Sequence, residues 1–243
     1  MKIISEKTPV VVNITNYVAM NFNANALLAI GASPIMSFYE KEMDDLLAIA
    51  NSLIINIGCL DDNEIRGMHA AAAAAVKYAK PWVLDPVGVG ASKARIDTAA
   101  ELISKYHPAI VRCNASEIMV LHGTACKTRG VDSAEPVEKA RICAREFAAA
   151  QGLVVAVSGA VDYITDGVRE AEVHKGSPLM AKVTTMGCCA SAVCAAFAAV
   201  MPPYEAAVHA MDAMGTAGEN AAARSRGTGS LAANFIDELY QLP

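Results

Sequence analysis

Short apolar runs alternate with longer stretches of helical periodicity along most of the chain. The runs Ser52–Gly58, Trp82–Val87, Ala109–Asn114 and Leu153–Gly159 read as buried strands, and Tyr163–His174 as a following hairpin. Helical patterns occupy Val18–Ile30, Lys41–Ala50, Asp62–Ala79, Arg95–Tyr106, Ser116–His122 and Ser133–Gln151. After the hairpin the pattern is helical throughout: Gly187–Val200, Tyr204–Arg224 and Ser230–Leu239. Such alternation predicts an α/β fold, a mostly parallel central sheet with helices on both faces and a helical C-terminal part. No internal repeat, low-complexity linker or long charge run divides the chain, so one domain over residues 1–243 is expected.

Two long uncharged stretches complicate this picture, Thr8–Tyr39 and Val183–Tyr204. The first holds five asparagines, each costly in lipid, and the second is rich in Ala, Ser, Thr, Gly and Cys and ends at Pro202-Pro203. Both predict buried protein rather than a membrane span. The apolar share of the chain is 54%, but much of it is alanine, as in His69–Val76, which predicts close-packed helices or a subunit interface. The opening residues carry Glu6 and Lys7 and no long apolar run, so no signal peptide is expected and a cytoplasmic location is. With 20 Lys and Arg against 25 Asp and Glu, the net charge of −5 disfavours nucleic acid and anionic membranes as partners. Seven cysteines with no CxxC predict reduced thiols rather than a zinc or redox centre.

Ligands of open α/β sheets gather at the carboxyl ends of the strands, so the residues there carry the chemistry. Asp85 ends one run and is followed by Pro86, Gly88 and Gly90; it is either a helix cap or a ligand-facing carboxylate. The next ends Arg112-Cys113-Asn114, with Glu117 three residues beyond. Asn114 and Glu117 have the spacing of a capping box, and Asp85 with Glu117 equally suits a hydrated magnesium ion that bridges nucleotide phosphates. Ser158-Gly159 either touches a ligand or opens a turn. In "KVTTMGCC", Thr185 and Gly187 lead into a helix whose free N–H groups form an anion site. Cys188, in the first turn, is expected to be acidified there or to be a small packing residue; Cys189 and Cys194 are expected in the core. The asparagines of Thr8–Tyr39 form a buried polar network or line a pocket for a small neutral ligand.

Taken together, "NITNYVAMNFNANALLAIGASPIM", "LDPVGVGAS", "RCNASEI", "VSGAVDYITDG" and "KVTTMGCCASAV" resemble the hydroxyethylthiazole kinases in order and spacing. These are thiamine-salvage enzymes of the ribokinase-like superfamily, and the resemblance runs from about Val10 to Ser230. It implies transfer of the ATP γ-phosphate to the primary alcohol of 4-methyl-5-(2-hydroxyethyl)thiazole. It also implies Asp85 and Glu117 near Mg2+, and Arg112, Asn114, Ser158 and Thr185 around ATP. Gly187 would belong to the anion hole, Cys188 would stand where related kinases carry an aspartate base, and Asn16, Val18 and Met36 would line the thiazole pocket with Gly187. A homotrimer with active sites between subunits is implied as well. A kinase of another small alcohol, such as hydroxymethylpyrimidine, would keep the phosphate machinery and change the "ITNYV" stretch; a non-catalytic thiazole or nucleotide sensor would lose Asp85, Glu117 or Gly187. Four positions depart from the family pattern: Val12 replaces a histidine, Cys113 and Thr185 replace glycines, and Ser158 replaces a threonine.

Overall fold

The computed structural model describes residues 1–123 and 137–242. Its elements follow one another as α1 (Lys2–Lys7), β1 (Val10–Ile14), α2 (Met20–Ala29), β2 (Ser33–Met36), α3 (Met43–Ile49) and β3 (Ser52–Asn56). Then come α4 (Asp62–Lys77), β4 (Trp82–Asp85), α5 (Lys93–Tyr106), β5 (Ile110–Asn114), α6 (Ala115–Leu121) and α7 (Val137–Gln151). The antiparallel extension and the helical end complete the chain: β6 (Val154–Ser158), β7 (Asp162–Thr165), β8 (Glu170–Val173), α8 (Met186–Ala198), α9 (Pro203–Arg224) and α10 (Thr228–Gln241). The described strands form one sheet in the order β2-β1-β3-β4-β5-β6-β7-β8, parallel through β6 and antiparallel thereafter.

The expected α/β architecture is present, with differences near the N-terminus. α1, β1 and β2 were not anticipated. β1 is a run of valines that leads into asparagines, and β2 is a four-residue edge strand holding Pro34, which an edge position tolerates. The helix expected from Val18 starts at Met20 instead. The expected start of α7 at residues 133–136, and Cys126, lie outside the described residues.

Helices cover both faces, and the period-2 alternation of the strands assigns side chains to two cores. Val11, Ile54, Val83, Ile110 and Ala156 face α2, α8, α9 and α10. Val12, Leu53, Ile55, Leu84, Val111 and Val155 face α3 to α7. Central strands β3 and β4 are buried on both faces, as the continuous apolar runs predict. α4 begins where Asp61 accepts from the N–H groups of Asn63 and Glu64 at 2.7 and 2.8 Å. Its alanines Ala71, Ala72, Ala74 and Ala75 are buried, so the alanine run packs a helix closely on the sheet. α8 is almost wholly buried across β1, β3, β4 and β5, tied to β3 by the Ser52 hydroxyl, which donates to the Ala195 carbonyl at 2.7 Å. The charge-free stretch around α8 is therefore core, and no described helix is long and apolar enough to cross a membrane.

Candidate active site

One face of the sheet changes character at the carboxyl ends. The residues in phase with Ile54, Val83 and Ile110 become Asn56, Asp85 and Arg112 one pleat further on, with Ser158 in the same phase of β6. All of them point to the side on which α8 begins. Burying this polar row requires that its members satisfy one another.

Asp85 is fully buried, and its Oδ2 accepts from Asn56 Nδ2 and from the Ser191 hydroxyl of α8, both at 2.8 Å. Its Oδ1 has no hydrogen bond and faces Arg112 Nη1 at 4.0 Å. Burial pushes the Asp85 carboxyl up, against the opposing pull of Arg112, Ser191 and Asn56. Arg112 also donates to the Ser158 hydroxyl. Asn114 and Glu117 do form the capping box of α6. Glu117 holds Asn114 N through one oxygen at 2.9 Å and Gly88 N through the other at 2.8 Å, so it also fixes the turn after β4. At 3% exposure it is pushed from an ordinary 4.5 to about 7, by burial first and by the Asp85 charge second.

The start of α8 completes the arrangement. A methyl at Gly187 would lie 2.7 Å from Arg112 Nη1, so any side chain there would have to push the guanidinium from the helix mouth. Thr185 is the N-cap in a left-handed conformation, φ +76°, and its side chain makes no capping bond. A glycine is the natural occupant of that backbone geometry, which gives the departure at this position a physical cost. Cys188 Sγ accepts from Asn16 Nδ2 at 3.4 Å, and the Cys188 carbonyl accepts from Asn23 Nδ2 at 3.4 Å. The expected acidification of Cys188 is not found: burial, then the Asp85 charge, pushes its thiol up to about 11. Cys189 and Cys194 are fully buried thiols, as expected.

Arg112, Asn114, Ser158, Met186 and Gly187 line a cleft of about 540 Å³ that extends to Met180, Met211 and Met214. The cleft adds two residues that the sequence did not single out. Asp162 accepts from Gly159 N at 2.9 Å and is pushed by burial to about 6, and Lys175 lines the same cleft. Asn56 and Ser191 were missed as well. A lone asparagine closing the apolar run "SLIIN", in phase with Asp85, was the available signal for the first. On the other side of Cys188, Asn16 is buried, whereas Tyr17 and Val18 are 59% and 64% exposed and Met36 is half-buried on edge strand β2. The asparagines divide accordingly. Asn16 and Asn23 serve the α8 start, Asn25 bonds Asn21 on the surface of α2, and both amide atoms of buried Asn13 lack a hydrogen bond.

The Hydroxyethylthiazole kinase family profile matches residues 1–243. The chain belongs to the hydroxyethylthiazole kinase family. It is 50% identical to the hydroxyethylthiazole kinase of Brachyspira hyodysenteriae over 242 residues, 100% of this chain and 92% of that one. A hydroxyethylthiazole kinase structure from Pyrococcus horikoshii OT3 superposes with a TM-score of 0.92 at 38% identity, covering 99% of this chain and 91% of the other. A ribokinase-like superfamily protein of Enterococcus faecalis V583, at 13% identity, shares the fold with a TM-score of 0.68 over 96% of this chain and 86% of its own. Two of this family member's departures are removed from the cleft. Val12 and Cys113 are fully buried among the α3 to α7 core, on the face of the sheet opposite Cys188. Val12 therefore packs the core and does not reach a pocket or an exposed interface.

Proposed function

We propose that the chain transfers the γ-phosphoryl group of ATP to the primary alcohol of 4-methyl-5-(2-hydroxyethyl)thiazole, in thiamine biosynthesis or salvage. The observation that carries this reading is the convergence of Arg112, Gly187 and Cys188 where α8 begins, in a chain matched over its whole length by the family. The backbone N–H groups at the helix mouth and the Arg112 guanidinium take the negative charge of the transferring phosphoryl group. Ser158 holds Arg112 in place, and Asn114 lines the same cleft, which has room for a nucleotide reaching toward Met180 and Met211.

Two buried carboxylates against one guanidinium, with Asp85 Oδ1 unbonded and Glu117 raised to about 7, are a donor set that fits a hydrated magnesium ion. Asp85 and Glu117 would hold it, chiefly through water, and when bound it would neutralise phosphate charge. The alcohol oxygen forms a bond to the γ-phosphorus as the bond to the β-phosphate oxygen breaks. ADP leaves, and the alcohol proton passes to a phosphoryl oxygen as the monoester forms. Such a transfer asks mainly for positioning. With its thiol raised to about 11, Cys188 is protonated at neutral pH and serves to orient the alcohol rather than to act as a base.

Asn16, Val18 and Met36 would contact the thiazole. The exposed Tyr17 and Val18 beside them support a site finished by a neighbouring copy in the family's trimer. Residues 1–243 would act as one kinase domain, drawing on cytoplasmic ATP. The test is a coupled ATP-consumption assay with hydroxyethylthiazole and hydroxymethylpyrimidine side by side. Turnover that depends on the thiazole is expected. Turnover with the pyrimidine alone moves the assignment to the other alcohol, and none with either contradicts catalysis.

A further inference from the structure

We propose that Asn56 is a positioning residue that couples Asp85, on the phosphate side, to Asn16 and Cys188, on the alcohol side. The proposal rests on the thiazole kinase reading above and assigns a role within that site. Asn56 closes β3 directly opposite Asp85 in the register and is 1% exposed. Its Nδ2 donates to Asp85 Oδ2 at 2.8 Å, while its Oδ1 accepts from Gly58 N at 2.9 Å and from Asn16 Nδ2 at 3.1 Å. The orientation of the amide is forced. A carboxylate only accepts and a backbone N–H only donates, so Nδ2 must face Asp85 and Oδ1 must face Gly58.

The next link is forced in the same way. Asn16 Oδ1 accepts from Ala19 N at 3.1 Å, which leaves its Nδ2 for Asn56 Oδ1 and for Cys188 Sγ. Donation therefore runs outward from the Asn16 amide, to Cys188 Sγ on one side and through Asn56 to Asp85 on the other. Two further features hold this line rigid. A methyl at Gly58 would lie 2.8 Å from both Asn16 Nδ2 and Asn56 Oδ1, so a larger residue there would have to displace the two amides. Arg95 grips the turns after β3 and β4 together, donating to the carbonyls of Ile57, Val87 and Gly58 at 2.6, 2.7 and 2.9 Å. The residue that sets the Asp85 carboxylate is thus the one that sets the alcohol-side amide.

The test compares wild type, Asn16→Ala, Asn56→Ala, Asn56→Asp and the Asn16→Ala/Asn56→Ala double variant. Hydroxyethylthiazole and nucleotide affinities are read by calorimetry, kcat by ATP consumption, and folding by thermal unfolding. Asn56→Ala is expected to lower kcat by about 10- to 100-fold and to weaken thiazole binding about tenfold, with nucleotide affinity within about threefold of wild type. The double variant is expected to bind thiazole no worse than the weaker single variant, because one line of bonds is broken in either case. Asn56→Asp keeps the acceptor for Gly58 and Asn16 but sets a carboxylate oxygen against Asp85. It is expected to keep thiazole affinity and lose turnover, a split that a purely structural role would not produce. Asn56→Ala with wild-type kcat and thiazole affinity, losses that multiply in the double variant, or an Asn56→Asp that loses binding and turnover together would overturn the proposal. Wild-type turnover of the thiazole is measured in the same series, so a failure of the kinase reading shows there and a failure of the coupling shows in the variants.

Discussion

The two ends of the proposed site, the cleft beside Arg112 and the region beyond Cys188, are built differently. The end assigned to the nucleotide is made in the middle of the sheet, from the last residues of β4, β5 and β6 and the first of α8, and its polar atoms are buried and largely bonded to one another. The end assigned to the alcohol lies toward edge strand β2, where Asn16 is buried but Val18 is 64% exposed and Met36 half-buried. Phosphoryl transfer needs charge placed to within a fraction of an ångström, which central strands and a helix mouth provide. Choice of alcohol needs a shaped apolar surface, and here an edge strand and a surface loop leave Tyr17 and Val18 exposed.

The largest effect that separates the two ends is expected from Gly187→Ala. Its new methyl meets Arg112, and turnover should fall about 10³-fold while hydroxyethylthiazole affinity stays within about threefold. Calorimetry beside kcat checks this, and equal losses in both would mean the ends are not separable. The nucleotide end also carries a charge signature. Glu117 is raised from 4.5 to about 7, so the folded protein binds a proton more tightly than the unfolded chain between those values. Stability of the nucleotide-free protein should therefore fall as pH rises from about 4.5 to about 7, by up to ~3 kcal/mol. Denaturant titrations across that range test it, and magnesium with nucleotide should flatten the trend.

Cys188 sits at the boundary between the ends. Cys188→Ser should cost about 10²-fold or less in kcat if, as proposed, the protonated thiol only orients the alcohol. Peptide-resolved alkylation should find Cys188 slow at neutral pH, and rapid labelling there would restore the case for a thiolate base. At the alcohol end, Val18→Asp should raise the thiazole KM about tenfold and leave the nucleotide KM within about twofold. The smallest effect concerns Thr185, whose φ of +76° suits glycine. Thr185→Gly should stabilise the protein by about 1 kcal/mol, read as a rise of about 2–4 °C in Tm.

The same contrast explains what was legible in the sequence. β3 to β6 stand within one or two residues of their apolar runs because central parallel strands are buried on both faces. β1 and β2 were not, since "VVVNITN" mixes core valines with asparagines, and "SPIM" is short, edge-placed and holds a proline. Arg112, Ser158, Gly187 and Cys188 could be singled out because each lies at the end of a strand or opens a helix. Asn56 and Ser191 escaped because each lies inside an apolar segment, and only the sheet register and the packing of α8 bring them to Asp85. Cys188 stands in the first turn of α8, as expected, but its thiol is raised rather than acidified. The helix mouth is visible in "TTMGCC", whereas the burial and the nearby Asp85 that raise the thiol are tertiary.

The central claim is that this cleft moves a phosphoryl group from ATP to a thiazole alcohol, and phosphorus NMR of the reaction mixture tests it most directly. With hydroxyethylthiazole, ATP and magnesium, a phosphate monoester resonance should grow in step with ADP, one for one, and both should vanish without the thiazole. Growth of ADP with inorganic phosphate and no monoester would contradict it.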